Sequence, residues 1–258
     1  MPESLRHYLD FAVSVAHSAG RLTLGYFQNN VAVDLKADSS PVTAADLKAE
    51  EMIRRAIERA FPQHGIVGEE FGLKEAQGKT HRWFVDPIDG TKAFIRGIPV
   101  YAVLIALEIA GVIEVGCAYF PALDEMLAAA SGLGCWWNGR RAHVSHATRM
   151  ADALICFTDV ASFARYNRAA EWDRIQKTAW RRAGWGDAYG YLLVATGRAE
   201  VMLDPIVEPW DLAPFPVILR EAGGFFGDWQ GNSTIFAHEG MATTNLLLPE
   251  VLALLRKE

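Results

Sequence analysis

Three acidic clusters carry the residues best suited to chemistry: Gly68-Glu69-Glu70, Asp86-Pro87-Ile88-Asp89-Gly90-Thr91 and Trp210-Asp211, with a further acid at Asp46. Hard cations such as Mg²⁺ take oxygen ligands, chiefly carboxylates, carbonyls and water. Within the six-residue run, Pro87 fixes one φ angle and Gly90 permits a tight turn. Such a turn can aim the Asp86 and Asp89 carboxylates, with the Ile88 carbonyl between them, at one point. Each cluster alone has a plainer reading. An Asp-Gly step is commonly a turn, and a Glu-Glu pair is usually solvated surface. Asp211 reads as a helix N-cap or an acid near a positive helix end. Asp46, three residues after Thr43, reads as part of a capping box. The run from Asp86 to Thr91 resists that dismissal, because two acids, a stiffener, a hinge and a hydroxyl follow directly on an apolar strand.

The elements that must position these acids are legible in outline. Ser4 can cap a first helix running to about residue 27, with Leu5, Leu9, Val13 and Ala16 on one face. A second helix starts after Thr43 and stops before Pro62. Residues 65–67 and 83–85 read as strands running straight into the first two clusters, and 100–109 with 112–119 as a hairpin about Gly111. Segments 125–130 and 142–145 extend that sheet. Further on, 153–158 and 201–203 read as strands, and 162–182, 189–196, 212–222 and 251–257 as helices. Strands and helices without strict βαβ alternation indicate α+β layers or α/β halves. No repeat or linker divides the chain, so residues 1–258 are expected to form a single catalytic domain, with a soft boundary near 146–151. The polar stretch 29–45 has the composition of a mobile flap.

Bulk properties narrow the function classes. The chain has 258 residues, a formal charge of −6 and no Lys/Arg run, which argues against a nucleic-acid footprint. Its longest apolar stretch, 100–107, is far short of a membrane span, and the N-terminus lacks a signal-peptide pattern. A cytoplasmic protein with no membrane partner is expected. Cys117, Cys135 and Cys156 read as buried reduced thiols. The seven histidines show no HxxxH spacing, so zinc is not expected, and His64 and His81 read as exposed loop residues. Trp136, Trp137, Trp180 and Trp185 read as core or dimer packing.

Together, Lys36, the SPVTAAD run ending at Asp46, the GEE at Glu69 and Glu70, DPIDGT, WDLA at 210–213 and EAGG at 221–224 resemble the inositol-monophosphatase superfamily in order and spacing. The resemblance implies a layered αβαβα fold, usually homodimeric, that hydrolyses a small phosphate monoester with two or three Mg²⁺ ions and is sensitive to Li⁺. It implies Glu69, Asp86, the Ile88 carbonyl, Asp89 and Asp211 as metal ligands. It also implies Asp46 and Thr91, with Glu69, as catalytic groups that orient and deprotonate water. Asp89, Gly90 and Thr91 would bind the phosphate. Pro214 departs from the family pattern, in a first helical turn where proline is tolerated.

The stretch 186–211 most resembles the histidinol-phosphate phosphatase branch. A cationic substrate tail favours carboxylate partners, and Asp187, Asp204 and Glu208 are the candidates. Asp187 reads equally as the N-cap of a helix beginning near Tyr189, and Glu208 also reads as a loop surface acid. Alternatives are an inositol-1-phosphate or broad sugar-phosphate phosphatase, and a catalytically silent metal-binding regulatory protein.

Overall fold

A computed structural model describes residues 4–29, 32–36, 41–78 and 80–256. The first half runs α1 (Leu5–Leu24), β1 (Val33–Leu35), β2 (Pro41–Thr43), α2 (Ala44–Ala60), β3 (Gly65–Gly68), β4 (Gly72–Lys74), β5 (His81–Asp89), α3 (Thr91–Ile95), β6 (Ala102–Ile109), β7 (Val112–Phe120), β8 (Glu125–Ala130), β9 (Gly134–Trp137) and β10 (Arg140–Arg141). The second half runs β11 (Leu154–Phe157), α4 (Val160–Arg165), α5 (Ala169–Thr178), β12 (Arg181–Ala183), α6 (Asp187–Ala195), β13 (Val201–Asp204), α7 (Pro209–Leu212), α8 (Phe215–Ala222), β14 (Gly224–Gly227), β15 (Gly240–Thr244) and α9 (Leu248–Leu255).

The eight-stranded sheet has the order β10-β9-β8-β7-β6-β5-β3-β4, and the five-stranded sheet β12-β11-β13-β15-β14. Alternation along β6 shows why its sequence is apolar throughout. Val103, Ile105 and Leu107 face the α1/α2 layer, joining Leu9, Ala12, Ala16 and Ile53. Ala102, Leu104 and Ala106 face the other way, into the layer of α6 and α8. A strand covered on both faces needs no polar positions. The α6/α8 layer in turn meets the second sheet through Met202, Phe226 and Ala242. The far face of that sheet, with Ile155, Val201 and Leu203, is covered by Phe163, Trp172, Val251 and Leu255. The result is the five-layered αβαβα arrangement the resemblance implied. Each fully buried Leu, Ile, Val or Phe contributes about 1.5–3 kcal/mol, so the layers are held by the buried apolar faces of the longer helices, α1, α2, α6 and α8 among them. No helix among the described residues is long and apolar enough to cross a membrane.

Several elements differ from expectation. Residues 142–145 form no strand. The sheet is extended by the β9–β10 hairpin, whose Asn138-Gly139 corner has both φ angles positive, 46° and 75°. An Asn-Gly pair between short strands favours this two-residue turn. The long helix expected over 162–182 is three elements. Asn167, at φ 59°, ends its first segment, and β12 follows α5. The helix expected over 212–222 is broken at Ala213-Pro214, and Pro214 caps α8 rather than lying in a first turn. β14 and β15 went unforeseen. Of the stretch 29–45, residues 33–35 and 41–43 pair as the β1–β2 hairpin, while residues 30, 31 and 37–40 lie outside the described residues. His64 and His81 are not exposed loop residues. Their rings stack 4.5 Å apart, and Trp83 Nε1 donates to His64 Nδ1 at 3.1 Å. The three cysteines are free and buried.

Candidate active site

The acids converge because strand ends and helix starts from both halves open on one cleft. Strand β5 carries Asp86 and Asp89, and its pairing with β6 is irregular between them. The irregularity turns both side chains toward the same side. Asp86 Oδ1 accepts the Ile88 N–H at 2.9 Å, which folds the intervening residues into a tight bend. Gly90 then adopts φ 78°, ψ 40° and starts α3 at Thr91. From the other half, α7 presents Asp211 in its first turn, where Asp211 Oδ2 accepts the Glu208 N–H at 2.9 Å. Carboxylate oxygens of Asp86, Asp89 and Asp211 all lie within 4.8 Å of one another.

This clustering is costly for bare charges. Burial, then the neighbouring carboxylates Glu69, Asp89 and Asp211, hold Asp86 well above the usual carboxylate range. Asp89 is raised well above it by burial and then by Asp187 and Asp211. Asp211 is pushed up to about 8, first by burial, against the Glu208 N–H that lowers it. Like charges crowded into a low-dielectric site need a counter-cation or protons. An all-oxygen donor set of this kind fits a hard divalent cation and not a soft one.

Around this trio stand the other expected residues. Asp46, buried at the start of α2, accepts from the Thr43 N–H at 2.8 Å and from Thr43 Oγ1 at 2.6 Å. It is thus both a capping-box member and a site acid, because its Oδ1 lies 3.5 Å from Thr91 Oγ1. Burial raises its pKa above the ordinary value. Thr91 Oγ1 also donates to the Ile88 carbonyl at 3.1 Å. Glu69 lines the cleft, but in this structure Lys36 Nζ lies 2.7 Å from both Glu69 Oε1 and Glu70 Oε1. Glu70 is raised to about 7, by burial first, against the Lys36 contact that lowers it.

The cleft, about 410 Å³, holds Glu69, Asp86, Asp89, Thr91 and Asp211 in its lining. It continues into a compartment of about 190 Å³ lined by Lys92, Asp159, Arg165, Asp187, Asp204 and Ile206, among others. A larger cavity of about 490 Å³ lies elsewhere, at Tyr26, Phe94 and Arg96, with no carboxylate in its lining. Asp187 is not an N-cap, since α6 begins at Asp187 itself with Gly186 before it. It sits at φ 51°, and a Cβ on Gly90 would lie 3.2 Å from Asp187 Oδ2. Its neighbour's N–H, on Ala188, donates to Asp89 Oδ2 at 2.8 Å. Asp204 is buried with both oxygens engaged, by Thr158 Oγ1 at 2.6 Å and Tyr191 OH at 3.1 Å. Burial leads the causes that raise it to about 7. Glu208 stands apart from both compartments, with its Oε2 3.4 Å from His238 Nδ1.

Sequence reading missed Thr158, which also accepts the Asp187 N–H at 2.8 Å. Its only signal was a hydroxyl at the end of a strand. The reading also missed why Gly68 precedes the two glutamates. A Cβ there would lie 2.0 Å from Glu50 Oε1 and 2.9 Å from an Arg54 guanidinium nitrogen. Gly68→Ala is therefore expected to destabilise the protein by about 2–3 kcal/mol, read as a lower urea midpoint at unchanged slope. An unchanged midpoint would contradict this packing.

Comparison with known proteins agrees with the geometry. The family model "Inositol monophosphatase family" matches residues 4–258. A histidinol-phosphatase of Chlorobaculum parvum is 42% identical over 238 residues, covering 92% of each chain. An inositol-1-monophosphatase of Mesorhizobium japonicum is 34% identical, over 95% of this chain and 94% of its own. The crystal structure of the extragenic suppressor protein SuhB from Bartonella henselae superposes with a TM-score of 0.90 at 31% identity, covering 97% of this chain and 99% of that one. The chain belongs to the inositol monophosphatase family and is a phosphoric monoester hydrolase.

Proposed function

We propose that the chain hydrolyses L-histidinol phosphate to L-histidinol and phosphate with two or three Mg²⁺ ions, as a cytoplasmic homodimer serving histidine biosynthesis. The observation that carries the hydrolytic part is the cluster of buried Asp86 and Asp89 with half-buried Asp211, whose carboxylate oxygens lie within 4.8 Å of one another in the cleft lining. With Glu69 and the Ile88 carbonyl, these residues would hold the ions. Bound there, Mg²⁺ supplies Lewis acidity, lowering the pKa of water and neutralising charge on the phosphate and leaving oxygens.

The chain's own groups do the rest. Thr91 Oγ1 can accept a proton from the attacking water as its own hydroxyl proton passes toward Asp46 Oδ1, the pair being 3.5 Å apart. Thr43 holds Asp46 by its other oxygen, so Oδ1 stays aimed at Thr91. Backbone N–H groups of Gly90 and Thr91, at the start of α3, orient the phosphate. The leaving alcohol lies in the smaller compartment, where Asp187 takes the ammonium in a charge-assisted hydrogen bond. Asp204 adds negative potential there and fixes Thr158 and Tyr191. Glu208 contributes through its N–H, by holding Asp211.

The excess of carboxylates over cations in the alcohol compartment, where Asp159, Asp187 and Asp204 stand with Lys92 and Arg165, and the 42% identical histidinol-phosphatase support this substrate over inositol 1-phosphate, the rival drawn from the Mesorhizobium japonicum relative. The test is kcat/KM on L-histidinol phosphate, inositol 1-phosphate and adenosine 3′,5′-bisphosphate, side by side. A preference for histidinol phosphate of about a hundredfold or more is expected, because leaving a buried charge unpaired costs at least that much. Preference for inositol 1-phosphate would overturn the substrate, and no phosphate release from any ester with Mg²⁺ would favour a silent metal-binding protein.

A further inference from the structure

We propose that Glu50, paired with Arg54, is a positioning residue that holds the turn between β3 and β4 so that Glu69 faces the carboxylate site. The inference rests on the reading of Glu69 as a ligand given above. Glu50 lies on α2, one helical turn after Asp46, and is fully buried. Its Oε2 accepts the Glu70 N–H at 2.7 Å, and its Oε1 accepts the Phe71 N–H at 3.2 Å and Arg54 Nε at 2.7 Å. Arg54 in turn donates to the Gly72 carbonyl, and its guanidinium lies over the Phe71 ring, 5.9 Å from the centroid. One ion pair from α2 thus grips two N–H groups and one carbonyl of the turn, and Gly68 lacks a Cβ where Glu50 passes.

Stability alone is a poor reason for such a pair. Burying two charges costs about what their attraction returns, and apolar side chains of the same size commonly do as well. What the pair does is exclude other turn geometries. Any rotation of residues 69–71 would take the Glu70 and Phe71 N–H groups from the buried Glu50 carboxylate and the Gly72 carbonyl from Arg54, leaving the pair only each other. Groups that orient ligands in this way typically change metal affinity by about ten- to hundredfold when removed.

The experiment measures Mg²⁺ binding by titration calorimetry, without substrate, for wild type, Glu50→Gln, Arg54→Met and the core control Ile57→Val. Turnover is measured against Mg²⁺ concentration in parallel. For Glu50→Gln and Arg54→Met, the Mg²⁺ dissociation constant should rise about ten- to hundredfold, with kcat returning to within about threefold of wild type once Mg²⁺ saturates. Ile57→Val, which thins the same helix's core face, should lower Tm and leave Mg²⁺ affinity unchanged. Wild-type affinity in both pair variants would overturn the inference while leaving the metal reading standing. If Glu50→Gln fails to fold, Arg54→Met decides alone. A wild-type protein that binds no Mg²⁺ would overturn the metal reading and this inference together.

Discussion

Replacing Asp89 by Asn is expected to lower kcat by about a thousandfold or more while making the metal-free protein more stable. The two effects have one cause. Asp89 is 7% exposed and crowded by Asp86 and Asp211. Asn keeps the shape, and its carbonyl can still accept the Ala188 N–H that Asp89 Oδ2 accepts at 2.8 Å. The lost charge relieves repulsion that has nothing to offset it without a cation. The same charge is required once a cation is to be held and a phosphoryl group neutralised. Active sites commonly trade stability for function in this way. Thermal unfolding without Mg²⁺ should therefore show Tm at or above wild type, and saturating Mg²⁺ should raise it less than it raises wild type. Turnover within tenfold of wild type at saturating Mg²⁺ would remove Asp89 from the proposed ligand set.

The second large effect is a coupling of stability, pH and Mg²⁺. In the unfolded chain, carboxylates titrate near pH 4. Folding raises Asp211 to about 8 and Asp204 and Glu70 to about 7, by burial first in each case, and raises Asp86 and Asp89 well above the ordinary value. Between those limits the folded state binds more protons than the unfolded one. The linkage slope is then negative, and this contribution to stability is fully present below the unfolded values and lost as pH climbs toward 8. Metal-free Tm should accordingly fall between pH 6 and pH 8. Mg²⁺ binds the ionised form, so its stabilisation should be larger at pH 8 than at pH 6. At a hundred times the dissociation constant, linkage gives about 2.7 kcal/mol, or roughly 5–10 °C for a chain of this size. A metal-free Tm that rises over that range, or an Mg²⁺ increment equal at both pH values, would contradict the crowded-carboxylate account.

What could be read from the chain was local. The bend from Asp86 to Thr91 is encoded by adjacent residues, and Thr43 to Asp46 by helix-cap spacing, so both were visible without coordinates. The layered fold followed from the family resemblance carried by those motifs. Other features depend on partners far apart in the chain. Lys36 reaches Glu69 and Glu70 across 33 and 34 positions, and Glu50 reaches the following turn across 20 and 21. Neither spacing has a local signature. Asp204 read as a substrate contact from position alone, yet both its oxygens already accept protein donors. Asn138-Gly139 shows the opposite case. The hairpin signal was present in the residues, but sequence reading passed over the Asn-Gly pair as the corner and placed the strand at 142–145 instead of Arg140–Arg141. The helix over 162–182 failed because charged residues permit a helical pattern through Asn167, where a positive φ ends the segment.

The central claim is that Asp86, Asp89 and Asp211, with Glu69, hold divalent cations between them. It is tested most directly by anomalous diffraction from crystals soaked in Mn²⁺, which takes the same oxygen ligands as Mg²⁺. The account predicts anomalous peaks among those four carboxylates, with Lys36 Nζ withdrawn from Glu69. Peaks only at other surfaces, with Lys36 still bridging Glu69 and Glu70, would contradict it.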